Sequence, residues 1–348
     1  MSAEYDNIGV VVIGRNEGNR LRRCLMSVIR HAAAVVYVDS ASTDDSVSLA
    51  RSLGVEVVEL DMSLPFCAAR ARNEGFQALI SRFPQVSFVQ FVDGDCELFP
   101  DWLSLGRDAL LGRTALAAVA GRLRERFPTA SIYNRLAEFE WNIQGYGDVS
   151  SVGGIFMVRR AAFEVVGGFD PTIPAGEEPE LCHRLRTVGW AIGRIEADMA
   201  WHDLAMFHVG QWHRRQVRNG YGALDVVWRF GLADFKRNLF RAGFWSLWPT
   251  LVVGAGLGLN AIAGFEAGWG AAFIVFCLWP TQLSRIALKS VRQGHPARVA
   301  LPHAFYTMLS YWPQMYGHLR YTWDRLNLHG TALLEYKNGA RDLGSRNN

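Results

Sequence analysis

Cysteine is scarce in this chain of 348 residues, and no CxxC pair occurs among its five cysteines. They are odd in number and scattered along the sequence, at Cys24, Cys67, Cys96, Cys182 and Cys277. This pattern argues against a disulfide framework and against a structural zinc site, both of which need regularly spaced cysteines. It favours a reducing compartment.

Strong net charge and a dinucleotide-binding loop are also missing. The formal net charge of +3 is too small to indicate nucleic acid as a partner. The segment after the first predicted strand reads GRNEG at residues 14–18 and not GxGxxG, which argues against a dinucleotide oxidoreductase. The first six residues are acidic in balance and lead into a strand, so we expect no signal peptide and a front half that faces the cytosol.

Three apolar runs in the N-terminal part each lead to acidic residues. They are short, continuous and β-branched, as is typical of strands buried on both faces of a parallel sheet. The runs and their acids are residues 10–13 with Glu17, 35–38 with Asp39, and 88–92 with Asp93 and Asp95. The carboxyl ends of parallel strands share one sheet edge, where ligands bind. Because crowded carboxylates repel one another unless a cation or donor groups neutralise them, the sequence predicts a polyphosphate site with Mg²⁺ or Mn²⁺.

Strand and helix patterns alternate from residue 8 to about residue 99 in the order β-α-β-α-β-α-β. This alternation predicts an α/β fold with a mostly parallel sheet. A mixed pattern follows, with predicted strands at 153–158 and 190–195 and predicted helices at 160–166 and 178–188. We therefore expect the α/β domain to extend well beyond the first hundred residues.

The order and spacing of these motifs resemble family 2 glycosyltransferases of the membrane-anchored bacterial type. Those enzymes have the GT-A fold, with a Rossmann-like sheet, and use nucleotide-sugar donors. The matching stretches are VVIGRNE (11–17), VDSASTDDS (38–46), AARARNEG (68–75), DGD (93–95), RRAAF (159–163), GGFD (167–170) and GEEPELCHRLR (176–186). The resemblance covers about residues 8–220 and implies a GT-A domain over residues 1–225.

The resemblance also implies a role for each residue of the donor half. Glu17 and Asp39 are expected to contact the nucleoside, and Arg72 to lie near the diphosphate. Asp93 and Asp95 are expected to hold the phosphates and the metal. A divalent cation at that point would stabilise the negative charge that builds on the departing diphosphate.

The acceptor hydroxyl must lose its proton, which requires a positioned carboxylate as general base. In the family this base is usually the Asp of a Glu-Asp pair that opens a helix. Here the pair reads Glu177-Glu178, so Glu178 takes that position with one more methylene, and Glu177 and Glu180 are the alternatives. The acids could also merely favour the N-terminus of the helix.

Two later features extend the site. His202, in the sequence Trp201-His202-Asp203, is predicted to complete the metal shell, with a purely structural histidine as the alternative. Residues 211–215 read QWHRR and partly match the Gln-x-x-Arg-Trp motif of processive synthases. Arg215 stands where that motif has Trp, so the adjacent Trp212 is expected at the acceptor sugar, and Arg214 and Arg215 are expected at the leaving diphosphate. A basic helix face towards solvent or anionic headgroups is the alternative for the two arginines.

The remainder, residues 226–348, is predicted to associate with a membrane. Two runs that contain no charged residue, 244–265 and 267–283, are long enough for membrane spans, and basic residues flank the pair. Positive charge at both ends predicts that both ends lie in the cytosol. An aromatic helix at 299–321 is expected at the interface in preference to a third span, with a cytosolic tail after it. A buried helical hairpin of a soluble protein is the alternative.

Close helix contact is a further expectation for this segment. Gly254 and Gly258 have the GxxxG spacing inside the first predicted span. Small residues at this spacing permit contact within the hairpin or between two protomers of a homodimer.

Together these patterns predict an inverting glycosyltransferase anchored in the inner membrane, with its catalytic domain in the cytoplasm. It would move one sugar from a UDP- or GDP-sugar to a hydroxyl of a lipid-linked or membrane-proximal glycan. A polyprenyl phosphate acceptor is one alternative, and that nucleophile is already ionised. A non-catalytic membrane scaffold with a degenerate transferase domain is another.

Overall fold

The computed structural model describes residues 5–231, 233–263, 265–293 and 295–327. Most of the predicted cytosolic tail lies outside the described residues. The chain divides into two compact units, Met1–Phe207 and His208–Asn348. This division falls before the predicted boundary at residue 225.

The first unit contains alternating strands and helices. Its strands are β1 (Tyr5–Gly14), β2 (Ala32–Asp39), β3 (Glu56–Glu59), β4 (Phe88–Asp93), β5 (Cys96–Leu98), β6 (Leu116–Glu125), β7 (Gly147–Asp148), β8 (Phe156–Arg159) and β9 (Ala191–His202). Its helices are α1 (Asn19–Val28), α2 (Ser46–Ser52), α3 (Ala68–Arg82), α4 (Trp102–Gly112), α5 (Ile132–Trp141), α6 (Arg160–Val165) and α7 (Glu177–Thr187).

The strands form one mixed sheet in the order β3-β2-β1-β4-β8-β6-β9-β5, with β7 paired to β9. Strands β3, β2, β1 and β4 run parallel, β8 is antiparallel to both of its neighbours, and β6 and β9 are parallel. The predicted α/β fold with a mostly parallel sheet is confirmed.

Strand register brings the predicted acids to one edge of the sheet. Gly14 pairs with Asp39 across β1 and β2, and Ile13 pairs with Asp93 across β1 and β4. Backbone bonds continue past the strands, since Ser40 donates to Gly14 O at 3.1 Å and Gly94 donates to Ile13 O at 2.8 Å. We call the shared carboxyl ends of β1, β2 and β4 the acidic edge.

Helix α3 packs directly against the centre of the parallel strands. A Cβ on Gly75 would lie 2.5 Å from Val11 Cγ1 and 2.7 Å from Val38 Cγ2, so only glycine allows this approach. The close packing fixes the helix over β1 and β2 and carries Arg72 towards the acidic edge. Burial of the strand side chains on both faces explains why these runs are continuously apolar.

The second unit is described as four helices, α8 (Val209–Phe230), α9 (Ala233–Ala263), α10 (Phe265–Arg292) and α11 (Ala297–Leu326). By length and composition, Lys236–Ala263 and Gly268–Arg292 could each cross a bilayer, with a mean hydropathy of 1.4. The two predicted spans overlap these segments. The predicted interfacial helix falls within α11.

The close contact between α9 and α10 is made at Gly256 and Gly268, and not at the predicted pair, Gly254 and Gly258. A Cβ on Gly268 would lie 2.5 Å from Gly256 O, and a Cβ on Gly256 would lie 3.3 Å from Ala272 Cβ. A Cβ on Gly254 or Gly258 would meet nothing within 4 Å among the described residues. The expected role of Gly254 and Gly258 inside the hairpin is therefore wrong, and contact between protomers stays a prediction.

The packing of α3 leads to a test of stability. Gly75→Ala should lower the free energy of unfolding by about 1–2 kcal/mol, because the overpacking cost exceeds the gain in helix propensity. Gly112→Ala is the matched control at the end of α4, where a Cβ meets no described atom within 4 Å. Denaturant unfolding measures both, and equal stability of the two variants would contradict the packing argument.

Candidate active site

Arg72 lies buried between two carboxylates from different parts of the first unit. Its Nη2 donates to Asp93 Oδ1 at 3.0 Å, and its Nη1 donates to Glu177 Oε1 at 2.7 Å. Asp93 ends β4 and Glu177 begins α7, so one guanidinium joins the acidic edge to the helix that carries the predicted base. Burial lowers the pKa of Arg72, but the two carboxylates outweigh burial and hold this pKa above its usual value.

A glycine makes room for this pair. A Cβ on Gly154 would lie 2.9 Å from Arg72 Nη2 and 3.6 Å from Asp93 Oδ2. The segment between β7 and β8 therefore passes directly beside the Arg72–Asp93 contact. The sequence pattern places a glycine-led strand here but gives no sign of this contact.

Asp95 is buried beside His202, the last residue of β9. Asp95 Oδ2 and His202 Nε2 lie 3.1 Å apart. The pairing of β5 with β9 sets this contact, because Cys96 is in register with His202. The structure thus brings together two of the predicted metal ligands.

The donor chemistry here suits a divalent cation. Asp95, Cys96 and His202 are the group of metal-ligating side chains found in the described part of the chain, with ligand atoms within 4.8 Å of one another. Two ligands at right angles on a cation with bonds of about 2.1 Å stand about 3.0 Å apart, close to the Asp95–His202 separation. The Cys96 thiol donates to Asp95 Oδ1 at 3.4 Å, so it supports the acid. Asp93 lies outside this group.

The loops after β1 and β2 hold the predicted nucleoside residues. Asp39 Oδ1 accepts from Tyr37 Oη at 2.8 Å and from Ser42 Oγ at 2.5 Å, and Asp39 Oδ2 accepts from Ser42 N at 2.8 Å. These contacts leave one acceptor position on the Asp39 carboxylate. Burial, together with Asp39, raises the pKa of Tyr37, which keeps this hydroxyl a donor. Glu17 forms an ion pair with Arg20 at 2.8 Å.

Glu17 also lies against the Asp93–Asp95 turn. A Cβ on Gly94 would stand 3.2 Å from Glu17 Cγ, so this turn and Glu17 are in close contact. The acidic edge therefore assembles Glu17, Asp93 and Asp95 within one small region, as the strand pattern predicts.

Helix α7 presents three acids with different partners. Glu177 is paired with Arg72, and Glu180 is paired with Arg184 at 2.5 Å. Glu178 Oε1 accepts from neutral donors, Val152 N at 2.6 Å and Cys182 Sγ at 3.0 Å. Burial raises the pKa of Glu178, and the hydrogen bonds oppose that shift. Among the described residues, Glu178 is the one of these three acids that forms no ion pair with an arginine.

A buried network behind His202 was not predicted from sequence. Glu125, in register with His202, accepts from Phe127 N at 3.0 Å, Asn134 Nδ2 at 3.2 Å and Leu204 N at 3.3 Å. Burial raises the pKa of Glu125 to about 7. These bonds fix the backbone that follows His202. An isolated Glu at a strand end carries no sequence signal for such a role.

Trp212, Arg214 and Arg215 belong to α8 of the second unit. Trp212 is buried and packs edge-on against Tyr306 of α11 with ring centroids 5.4 Å apart. Arg214 is exposed and Arg215 is half-buried. Their roles at an acceptor or a diphosphate stay predictions.

Comparison with known proteins agrees with this architecture. The family model described as Glycosyl transferase family 2 matches residues 9–167. Glycosyltransferase AglE of Haloferax volcanii is 22% identical over 260 residues, which are 71% of this chain and 82% of that protein. Pre-mycofactocin glycosyltransferase of Mycobacterium tuberculosis is 29% identical over 273 residues, which are 73% of this chain but 54% of that protein.

Among solved structures, the chain is similar to mannosyltransferase PcManGT from Pyrobaculum calidifontis in complex with GDP-Man and Mn²⁺. The TM-score is 0.54 at 16% sequence identity, and the likeness covers 93% of this chain and 90% of that chain. At this identity the likeness shows the fold.

The sheet order, with its acids gathered at the carboxyl ends of parallel strands, defines the first unit as a GT-A-like domain. Residues 9–167 match the family 2 glycosyltransferases, in agreement with the sequence motifs.

The Arg72 bridge gives a stability test that needs no substrate. Arg72→Met should cost about 2–3 kcal/mol in the free energy of unfolding, because it leaves two carboxylates without their cation. The cost should stay below that of a fully enclosed pair, since a third of the Asp93 side chain is exposed. Arg82→Met is the matched control on the same helix, since the Arg82 side chain is largely exposed and its ion pair with Glu56 should contribute little. Denaturant unfolding midpoints of the wild type and both variants measure these costs. An Arg72→Met midpoint equal to that of the wild type would contradict the stabilising role of the Arg72 bridge.

Proposed function

We propose that this enzyme transfers one sugar, with inversion, from a UDP- or GDP-sugar to a hydroxyl of a lipid-linked or membrane-proximal glycan. The observation that carries the proposal is the Arg72 bridge from Asp93 to Glu177. It puts the acids expected at the donor phosphates next to the helix expected to activate the acceptor. Donor cleavage and acceptor activation must occur at one place for direct displacement.

The donor half of the proposal uses the acidic edge. Asp39 has one acceptor position left for a nucleoside donor group. Asp95 and His202 would hold Mg²⁺ or Mn²⁺. When bound, the cation supplies Lewis-acid stabilisation of the leaving nucleoside diphosphate. Arg72 contributes a fixed positive charge beside the same group.

The acceptor half uses Glu178. Its carboxylate takes the proton of the acceptor hydroxyl while the oxygen bonds to the anomeric carbon and the bond to the diphosphate breaks. One displacement from the opposite face inverts the anomeric centre. Because Glu178 has no arginine partner on α7 and burial raises its pKa, it is a stronger base than an exposed glutamate.

The membrane part of the proposal rests on the second unit. The apolar helices Lys236–Ala263 and Gly268–Arg292 would anchor the enzyme in the inner membrane, with both ends of the hairpin in the cytoplasm. Exposed leucine, isoleucine and phenylalanine side chains cover these helices, as a lipid environment requires. A glycan carried on a lipid would reach an enzyme anchored in this way.

A phosphate acceptor is the second candidate. Glu178 Oε1 accepts hydrogen bonds from Val152 N and Cys182 Sγ. These contacts are also what a carboxylate would make if its role were to anchor the 149–155 segment and not to act as a base. An enzyme of that kind would transfer sugar to polyprenyl phosphate, whose oxygen needs no base.

The metal assignment is tested with Asp95→Ala. This variant should lose at least 99% of transfer, because one of two side-chain ligands is removed, while its circular dichroism stays that of the wild type. Asp108→Ala, an exposed acid on α4, is the control and should keep full activity. The assay measures release of UDP or GDP from a panel of nucleotide sugars with Mn²⁺. Normal turnover by Asp95→Ala would refute the metal role.

The same panel addresses the scaffold alternative. A chain that neither releases nucleotide from any donor nor binds UDP or GDP with Mn²⁺ in calorimetry would contradict the proposed enzyme.

The choice between hydroxyl and phosphate acceptors is tested with Glu178→Gln. For a hydroxyl acceptor we expect a loss of about 10²–10⁴-fold in kcat, since the base is gone. Glu164→Gln, an exposed glutamate paired with Arg160, is the control. Retention of most activity in Glu178→Gln would favour the phosphate acceptor.

The pH profile provides a second readout for Glu178. Activity needs the ionised carboxylate, and burial raises its pKa, so the acidic limb should lie above pH 4.5 and activity should fall as the pH drops through it. Cys182→Ala removes a donor that stabilises the ionised form, so its acidic limb should move to higher pH. An acidic limb that Cys182→Ala leaves unmoved would contradict the role of Glu178.

A further inference from the structure

A tryptophan that the sequence motifs do not include lies flat against His202. The rings of Trp141 and His202 are stacked, with centroids 4.5 Å apart and an interplanar angle of 16°. Trp141 is the last residue of α5, whereas His202 ends β9. The contact therefore joins two elements that are distant in sequence.

The imidazole of His202 lacks the support that metal-binding histidines usually have. Such residues normally donate their second ring N–H to a carboxylate or carbonyl, which fixes the orientation of the ring. His202 Nε2 faces Asp95, but His202 Nδ1 is buried without a hydrogen-bond partner among the described residues. The stacked indole therefore restrains rotation of this ring in addition to the contact of His202 Nε2 with Asp95.

Several hydrogen bonds hold the backbone at Trp141 in place. The buried Arg194 donates from Nη1 to Trp141 O at 2.8 Å, from Nη2 to Asn142 Oδ1 at 2.5 Å and from Nε to Gly121 O at 3.1 Å. Asn142 Nδ2 in turn donates to Leu123 O at 2.8 Å. These bonds tie the end of α5 to β6, so the indole is held by a rigid backbone.

We propose that Trp141 is a positioning residue that holds His202 in the orientation needed to bind a divalent cation together with Asp95. A cation on Nε2 draws electron density from the imidazole, and the electron-rich face of the indole stabilises the resulting partial positive charge. This inference rests on the proposed metal site. It adds an aromatic support to that site in place of a hydrogen-bonded one.

The test measures Mn²⁺ affinity by the electron paramagnetic resonance signal of free Mn²⁺, without donor or acceptor. Trp141→Leu should weaken binding about three- to tenfold, whereas Trp141→Phe, which keeps an aromatic face, should stay within about twofold of the wild type. Trp190→Leu, at the turn between α7 and β9, is the matched control and should bind as the wild type does. Thermal melts establish that each variant is folded.

Epistasis separates a positioning role from a structural one. His202→Ala should weaken Mn²⁺ binding, and adding Trp141→Leu to it should cause no further loss, because Trp141 acts through His202. Additive losses, or an unchanged affinity of Trp141→Leu beside a weakened His202→Ala, would overturn this inference and leave the proposed metal site standing. If the wild type itself binds no Mn²⁺, both the metal site and the inference fail.

Discussion

The contact of Arg72 with Asp93 and Glu177 is the interaction on which the rest of the site depends. The single guanidinium lies between two carboxylates, so loss of Arg72 would leave two negative charges side by side without a compensating cation. The contact fixes α3, the end of β4 and the start of α7 relative to one another. It also leaves room for no side chain at Gly154.

The parallel sheet supplies the other constraint. Register between β1, β2 and β4 sets Asp39 and Asp93 within one residue of the same level, and the turn after β4 then directs Asp95 towards His202. Neighbouring acids at one edge would repel one another without cations. The ion pairs of Arg20 with Glu17 and of Arg72 with Asp93 reduce this repulsion. Asp95, which has a histidine beside it, is the acid best suited to an added metal ion.

The acids of the acidic edge could be predicted because apolar strand runs and the acids that follow them are local properties of the sequence, and the alternation of strands and helices indicates that the strands pair in parallel. The family resemblance added Arg72 and Glu178, although their partners could not be foreseen, because contacts such as Arg72–Glu177 and Val152–Glu178 depend on tertiary packing. The Trp141–His202 stack was missed for the same reason. The GxxxG spacing at Gly254 was misleading inside the hairpin, since spacing indicates a smooth helix face but does not say which face a neighbour covers.

Sugar transfer and metal binding are proposals that share one physical premise, a nucleoside diphosphate bound at the acidic edge with a cation on Asp95 and His202. The most direct measurement is an anomalous difference map at the manganese edge from crystals grown with Mn²⁺ and UDP or GDP. A manganese peak within bonding distance of Asp95 and His202, with the diphosphate beside Arg72, is the predicted result. Nucleotide bound away from the acidic edge, or manganese bound without Asp95, would contradict it.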